Sequence, residues 1–323
     1  VVEWIRRRAK AAGQARVLTL GALTHRLHGE RLAEMAALQE VGCVGVSDGG
    51  HPVANSRVLR RALEYAATFH LTVFLTPLDP ELGHGLAHEG QIAARLGLSG
   101  IPVAAETGII ARDLELVRDL GVRVHFGRLS SARAVELIAR AQAEGLPVTA
   151  DAAIHQLHLS EIDLTGFDSR CHVHPPLRSL RDKEALRAGV ADGVLSAICS
   201  DHQPHEPDAK QAPFGDTEPG ISGLDTLLAL SLRLVRDGVL PLPAVIERLT
   251  HGPARILGLD SGQLGVGAVA DVCIFDPDID WRLEPGDLRS RGRNSPFTGW
   301  EWQGRVTHTL LEGRIVYAAE GEN

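Results

Sequence analysis

The stretch Ser200-Asp201-His202-Gln203-Pro204-His205 sets one carboxylate and two imidazoles directly after a short apolar run, residues 194–199. An aspartate at the end of a buried strand can act as the general base of a metal-assisted hydrolysis, moving a proton from water to a leaving nitrogen. Other apolar runs end in polar or acidic groups too: Ser47-Asp48-Gly49-Gly50, Thr76-Pro77-Leu78-Asp79 and Asp151. In a barrel those ends share the face on which active sites are built. The competing reading is that Asp48 and Asp79 cap the helices that follow. Histidines beside Asp201 favour a site there.

Most of the 15 histidines carry no such pattern. His172-Val173-His174 has the spacing that puts two imidazoles on one face of a strand. It runs straight into Pro175-Pro176, which reads as a loop. His84 and His88 read as solvated; His25, His28, His51 and His70 as turn or surface residues. His155 and His158 lie beyond a strand end and are candidates to face the rim. Arg178 offers a guanidinium that either clamps a carboxylate in bidentate fashion or pairs locally with Asp182.

The elements that must position these groups alternate along the chain. Strand-like runs at 17–23, 43–47, 71–76, 122–126, 148–152 and 194–199 are followed by helical spacing at 29–40, 56–69, 84–96, 131–144, 180–191 and 223–237. Continuous apolar runs indicate parallel strands buried on both faces. Six strand–helix units predict a (β/α) barrel or an open doubly wound sheet. No G-x-G-x-x-G follows the first strand, which counts against a dinucleotide fold. Residues 1–8 read as a charged amphipathic helix and not as a signal peptide. Past residue 257 the texture becomes β-rich, with strands expected within 262–275 and 306–316 and a junction at Asp260-Ser261-Gly262. The domains expected are a barrel over 1–259, incomplete at its N-terminus, and a β-rich subdomain over 260–323.

A net charge of -8 gives no basic footprint for nucleic acid. No apolar run approaches the ~18 residues of a membrane span. Cys43, Cys171, Cys199 and Cys273 are scattered, which suits reduced thiols in a cytoplasmic protein.

The chain resembles the dihydroorotase family of cyclic amidohydrolases over essentially its whole length. The likeness is carried by Val46-Ser47-Asp48-Gly49-Gly50, Val173-His174-Pro175-Pro176-Leu177-Arg178 and the 200–205 stretch. It continues through Pro219-Gly220-Ile221-Ser222-Gly223-Leu224, Gly252-Pro253-Ala254-Arg255-Ile256-Leu257-Gly258, Ala270-Asp271-Val272 and Arg293-Asn294-Ser295-Pro296-Phe297. It implies a metal-dependent TIM (β/α)8 barrel, its first two strands missing from this chain, with a small β-sandwich subdomain built from both ends of the chain. It places Asp201 at the catalytic aspartate and Asp48 at the acidic metal-bridging position. His174, Arg178, His205, Pro219 and Gly220 fall at substrate positions.

The chain departs from the family pattern where it matters chemically. The H-x-H-x-R motif of the first barrel strand is absent. The ligand histidine of H-x-E-D should fall near residues 75–79, which read Leu75-Thr76-Pro77-Leu78-Asp79. That of H-V-S-T should fall near Gly127, with His125 offset by two. The P-N/H-H-L motif becomes Ile154-His155-Gln156-Leu157, and the asparagine of N-P-P-L-R becomes His174. Two carboxylates without imidazoles make a poor zinc site, which takes three protein ligands and an open position for water. The resemblance therefore implies a noncatalytic, cofactor-free homo-oligomer that holds the aspartate transcarbamoylase catalytic subunit in the pyrimidine pathway. The other implied reading is a zinc amidohydrolase opening a cyclic amide such as dihydroorotate, with Asp201 as general base; a divergent metabolite-binding module is a third.

Overall fold

A computed structural model describes residues 1–319. The six expected runs are strands, with short extra strands between them: β1 (Thr19–Ala22), β2 (Cys43–Ser47), β3 (Val73–Leu75), β4 (Ala87–His88), β5 (Gly100–Ile101), β6 (Val124–Phe126), β7 (Val148–Ala153) and β8 (Ala197–Cys199). Six of them form one sheet in the order β1-β2-β3-β6-β7-β8, every pair parallel. This is a half-barrel wall, and β4 and β5 pair separately beside it. Val46, Val73, Val124, Phe126 and Ala150 are fully buried within the wall, which accounts for their unbroken apolar runs.

The helices are α1 (Val2–Ala12), α2 (Met35–Glu40), α3 (Ser56–Thr68), α4 (Gln91–Leu96), α5 (Ala104–Leu120), α6 (Ala132–Ala143), α7 (Leu180–Ala191), α8 (Leu227–Arg236), α9 (Leu242–Leu249) and α10 (His251–Leu257). Side chains fix several of their starts. Asn55 accepts from the first turn of α3, Ser131 does so for α6, and Ser179 with Asp182 forms a capping box on α7.

Two features differ from the sequence expectation. Helix α5 has no counterpart in it, because two of the seven residues on its buried face are the acids Glu106 and Asp113. They break the apolar stripe by which a helix is recognised. In the C-terminal part the sheet comprises β9 (Val272–Arg282), β10 (Glu301–Leu311) and β11 (Arg314–Ala318), antiparallel in the order β11-β10-β9. Strand β9 runs past the expected limit at residue 275, through Asp276-Pro277-Asp278. A register shift between Gln303 and Arg305 on β10 leaves Pro277 out of the regular ladder, the place where a sheet tolerates proline.

Trp302, 1% exposed, and the buried Phe297 join this sheet to the barrel core. Gly304 lets β10 lie directly on Leu232 of α8, since a Cβ there would collide with that side chain. The segment after α1 is tied to the same sheet. Arg16 pairs with Asp271 at 2.7 Å and Glu312 at 3.0 Å, and Arg314 donates to the Gly13 carbonyl at 3.2 Å. No helix among the described residues is long and apolar enough to cross a membrane.

Candidate functional site at the mouth of the half-barrel

Four strand ends supply the inner ring of the mouth. Asp48 follows β2, where Gly49 (φ 61°) and Gly50 (φ 83°) turn the chain back. Its Oδ1 accepts from the Gly50 amide at 3.0 Å and the Thr76 hydroxyl at 3.0 Å. Its Oδ2 accepts from the Thr76 amide at 2.7 Å. Burial pushes its carboxyl above the usual range, against those hydrogen bonds and the nearby Arg128. Asp48 thus caps no helix, whereas Asp79 takes the local role, accepting from the Glu81 and Leu82 amides at 2.9 Å each.

Arg128 follows β6 and sits at φ 59°. Its amide donates to Asp151 Oδ1 at 2.7 Å, its Nη1 to Asp201 Oδ1 at 3.0 Å and its Nη2 to the Thr76 hydroxyl at 3.2 Å. Burial works against its charge, but Asp201 and the other acidic neighbours outweigh that and raise its pKa. Asp201 follows β8, also in the left-handed region (φ 42°), and its Oδ1 takes a second bond from Gln203 Nε2 at 3.0 Å. On β7, burial pushes Asp151 up, yet its bonds outweigh this and hold it below the usual carboxylate range. His125 is occupied: Nε2 bonds Asp151 Oδ2 and Nδ1 the Thr149 hydroxyl, both at 2.9 Å.

His155 is the exception. It lies in the turn after β7, 1% exposed, and neither ring nitrogen has a partner. Burial lowers its pKa to about 4, Asp201 opposes the shift and Arg128 adds to it.

The outer ring is held by backbone contacts. His205 Nε2 bonds the Pro219 carbonyl at 3.0 Å. Asn294 accepts from the His205 amide at 2.9 Å and donates to the Gln203 carbonyl at 2.8 Å and the Gly220 carbonyl at 3.0 Å. Gly220 sits at φ 136°, and a Cβ there would lie 2.6 Å from Gln203. His174 is partly buried, and burial, Arg128 and Arg178 lower its pKa. Its neighbour His172 bonds the Thr217 hydroxyl at 2.9 Å instead of forming a metal pair with it.

Arg178 is 2% exposed. It donates to the Ser130 hydroxyl at 3.1 Å, the Ile101 carbonyl at 2.6 Å and His88 Nδ1 at 3.1 Å. Glu106, accepting from the Ser130 amide at 2.6 Å, completes this buried network. Asp182 caps α7 rather than pairing with Arg178, and His88 is half-buried, its Nδ1 on Arg178 instead of fully solvated.

Among the described residues no group of three or more His, Cys, Asp or Glu is placed to hold a metal ion. The donors present do not fit catalytic zinc: Asp48 is held by three hydrogen bonds, His125 is bonded on both sides, and a guanidinium lies among the carboxylates. Positive charge there repels a second cation.

The comparisons with known proteins agree on ancestry. Residues 88–316 match the model of the Amidohydrolase family, and residues 1–134 that of Dihydro-orotase-like proteins. A "Dihydroorotase-like protein" of Pseudomonas aeruginosa is 53% identical over 318 residues, which is 98% of this chain and 75% of that protein. The chain belongs to the dihydroorotase-like amidohydrolases. A "Dihydroorotase" of Syntrophotalea carbinolica is 45% identical over 316 residues, 98% of this chain and 74% of that one. The L-hydantoinase of Arthrobacter aurescens superposes with a TM-score of 0.86 at 25% identity, covering 100% of this chain and 75% of that chain. The barrel expected from the sequence is thus the amidohydrolase one.

Gly127, where the resemblance places a ligand histidine, has no side chain to offer, and its neighbour Arg128 is the residue that reaches the mouth. Sequence reasoning passed over Arg128, Thr76 and Asn294. The available signal was a charged residue directly after a strand-end glycine, on the same rim as two aspartates.

Proposed function

We propose that this chain is a noncatalytic dihydroorotase-like protein, acting in the cytoplasm as a structural partner of the aspartate transcarbamoylase catalytic subunit in pyrimidine biosynthesis and itself oligomeric. The observation that carries the noncatalytic half is the state of Asp201. A general base needs an oxygen presented to the water it deprotonates. Here Asp201 Oδ1 is held by Arg128 and Gln203, so the side chain is tied to a guanidinium instead of facing a metal-bound water. The partner half rests on the family resemblance and on relatives named dihydroorotase-like. The test is dihydroorotase assay of the full-length protein with and without added zinc, together with gel filtration alongside aspartate transcarbamoylase. We expect background hydrolysis and co-elution. A turnover comparable to active dihydroorotases removes the noncatalytic reading, and separate elution removes the partnership.

A second reading, a zinc-dependent amidohydrolase of a cyclic amide, is favoured by one observation. Asp201 stands at the end of β8, in the position for a base on a barrel rim, and relatives at 45% identity are named dihydroorotase. In that reading Asp201 accepts the proton through Oδ2, the oxygen that neither Arg128 nor Gln203 engages.

A further inference from the structure

We propose that Arg128 is the resident cation of the barrel mouth. Its guanidinium offsets part of the charge of Asp48, Asp151 and Asp201, a task a divalent metal performs in metal-dependent hydrolases, and by occupying the mouth it keeps such a metal out. The inference deepens the noncatalytic reading and rests on it for the comparison with a hydrolase, while the charge balance is testable by itself.

Three carboxylates meet one cation. Arg128 bonds Asp201 at 3.0 Å through Nη1 and Asp151 at 2.7 Å through its amide. It reaches Asp48 through the Thr76 hydroxyl, 3.2 Å from Nη2 and 3.0 Å from Asp48 Oδ1. A guanidinium suits this because it stays charged and directs several donors in fixed directions. Arg128 and Asp201 both hold positive φ, 59° and 42°, a conformation that side chains other than glycine adopt only where their surroundings impose it. The ion pair between them is such a surrounding. A second observation is independent of the first. His155 is 1% exposed with both ring nitrogens unbonded, in the field of Asp201 and Arg128. A buried imidazole with a free lone pair is a metal donor without a metal, facing a cation that has taken the metal's place.

The experiment is a charge cycle read by thermal unfolding, with Arg128→Gln, Asp201→Asn and the double variant. Arg128→Gln removes the cation among these carboxylates, Asp201→Asn removes its direct ion-pair partner, and each lowers Tm by several degrees. The double variant is more stable than Arg128→Gln, because contacting residues are coupled. Arg128→Lys keeps the charge and most of the stability, so a readout survives if Arg128→Gln does not fold. Titration with zinc alone follows: Arg128→His gains binding at least about tenfold tighter than wild type through the new imidazole and Asp201, which no guanidinium then engages. A double variant no more stable than Arg128→Gln, or an Arg128→Lys as unstable as Arg128→Gln, overturns the charge role. Equal zinc binding by wild type and Arg128→His overturns the exclusion. Dihydroorotase activity in the wild type would remove the noncatalytic reading and leave the charge cycle standing. A failed cycle leaves the protein as inactive as before.

Discussion

His155 carries its ring into the interior with no hydrogen bond to hold it, and burial lowers its pKa from 6.5 to about 4. The native state therefore refuses a proton that the unfolded chain accepts. Its contribution to stability is fully present above pH ~6.5 and is lost as the pH falls toward 4. His155→Leu should gain on wild type by ~2 kcal/mol between about pH 7 and pH 5, measured by urea unfolding at both values. Parallel slopes for the two proteins would contradict this. At this scale the sequence is legible in part. Asp201 announces itself by the histidines beside it, whereas Asp48 at the end of its apolar run reads equally as a helix cap. Arg128 does not, because an arginine after a strand-end glycine looks like any solvated rim residue. Only the three-dimensional return of β2, β3 and β8 to the same rim shows what it faces.

Among elements, the loops after β8 are held by one side chain. Asn294 makes three hydrogen bonds to the 203–205 and 220 segments, and its own carbonyl accepts from the Ser222 amide at 3.0 Å. The loops carrying His205, Pro219 and Gly220 thus owe their position to a residue close to β10. Asn294→Ala should cost about 2–4 kcal/mol, since it strips buried backbone groups of partners. Asn294→Asp should be at least as damaging, because it sets a carboxylate against two carbonyl oxygens. Chemical denaturation of both variants checks the order, and an aspartate variant as stable as wild type would sink the strap. The strands and capped helices were readable because apolar runs and Ser/Asn caps are local signals. Helix α5 and the course of β9 were not. Of the buried acids on α5, Glu106 is hydrogen-bonded by Ser130 from a later loop and Asp113 is paired with its neighbour Arg112, and Pro277 is tolerated because β10 shifts its register opposite.

For the whole molecule, the two ends of the chain are clasped by charged groups that remain about half in water. Arg16, with 43% of its side chain exposed, bridges Asp271 and Glu312. Such pairs contribute at most about 1 kcal/mol and weaken with salt. Arg16→Ala should leave the midpoint of unfolding nearly unchanged while speeding amide hydrogen exchange in β11 and residues 13–18. Unchanged exchange would show that the clasp is ornamental. The half-barrel itself was predictable from six repeating units, since their order in sequence is their order in the sheet. The chain of contacts from Asp48 through Thr76 and Arg128 to Asp201 has a consequence for descent. A route from this mouth to a metal-using one must begin by replacing Arg128, and that first step strands buried carboxylates before any zinc is there to meet them. On the noncatalytic reading proposed above, the first step away from Arg128 lowers stability before any activity can be selected, so a single arginine works as a ratchet that is hard to turn back.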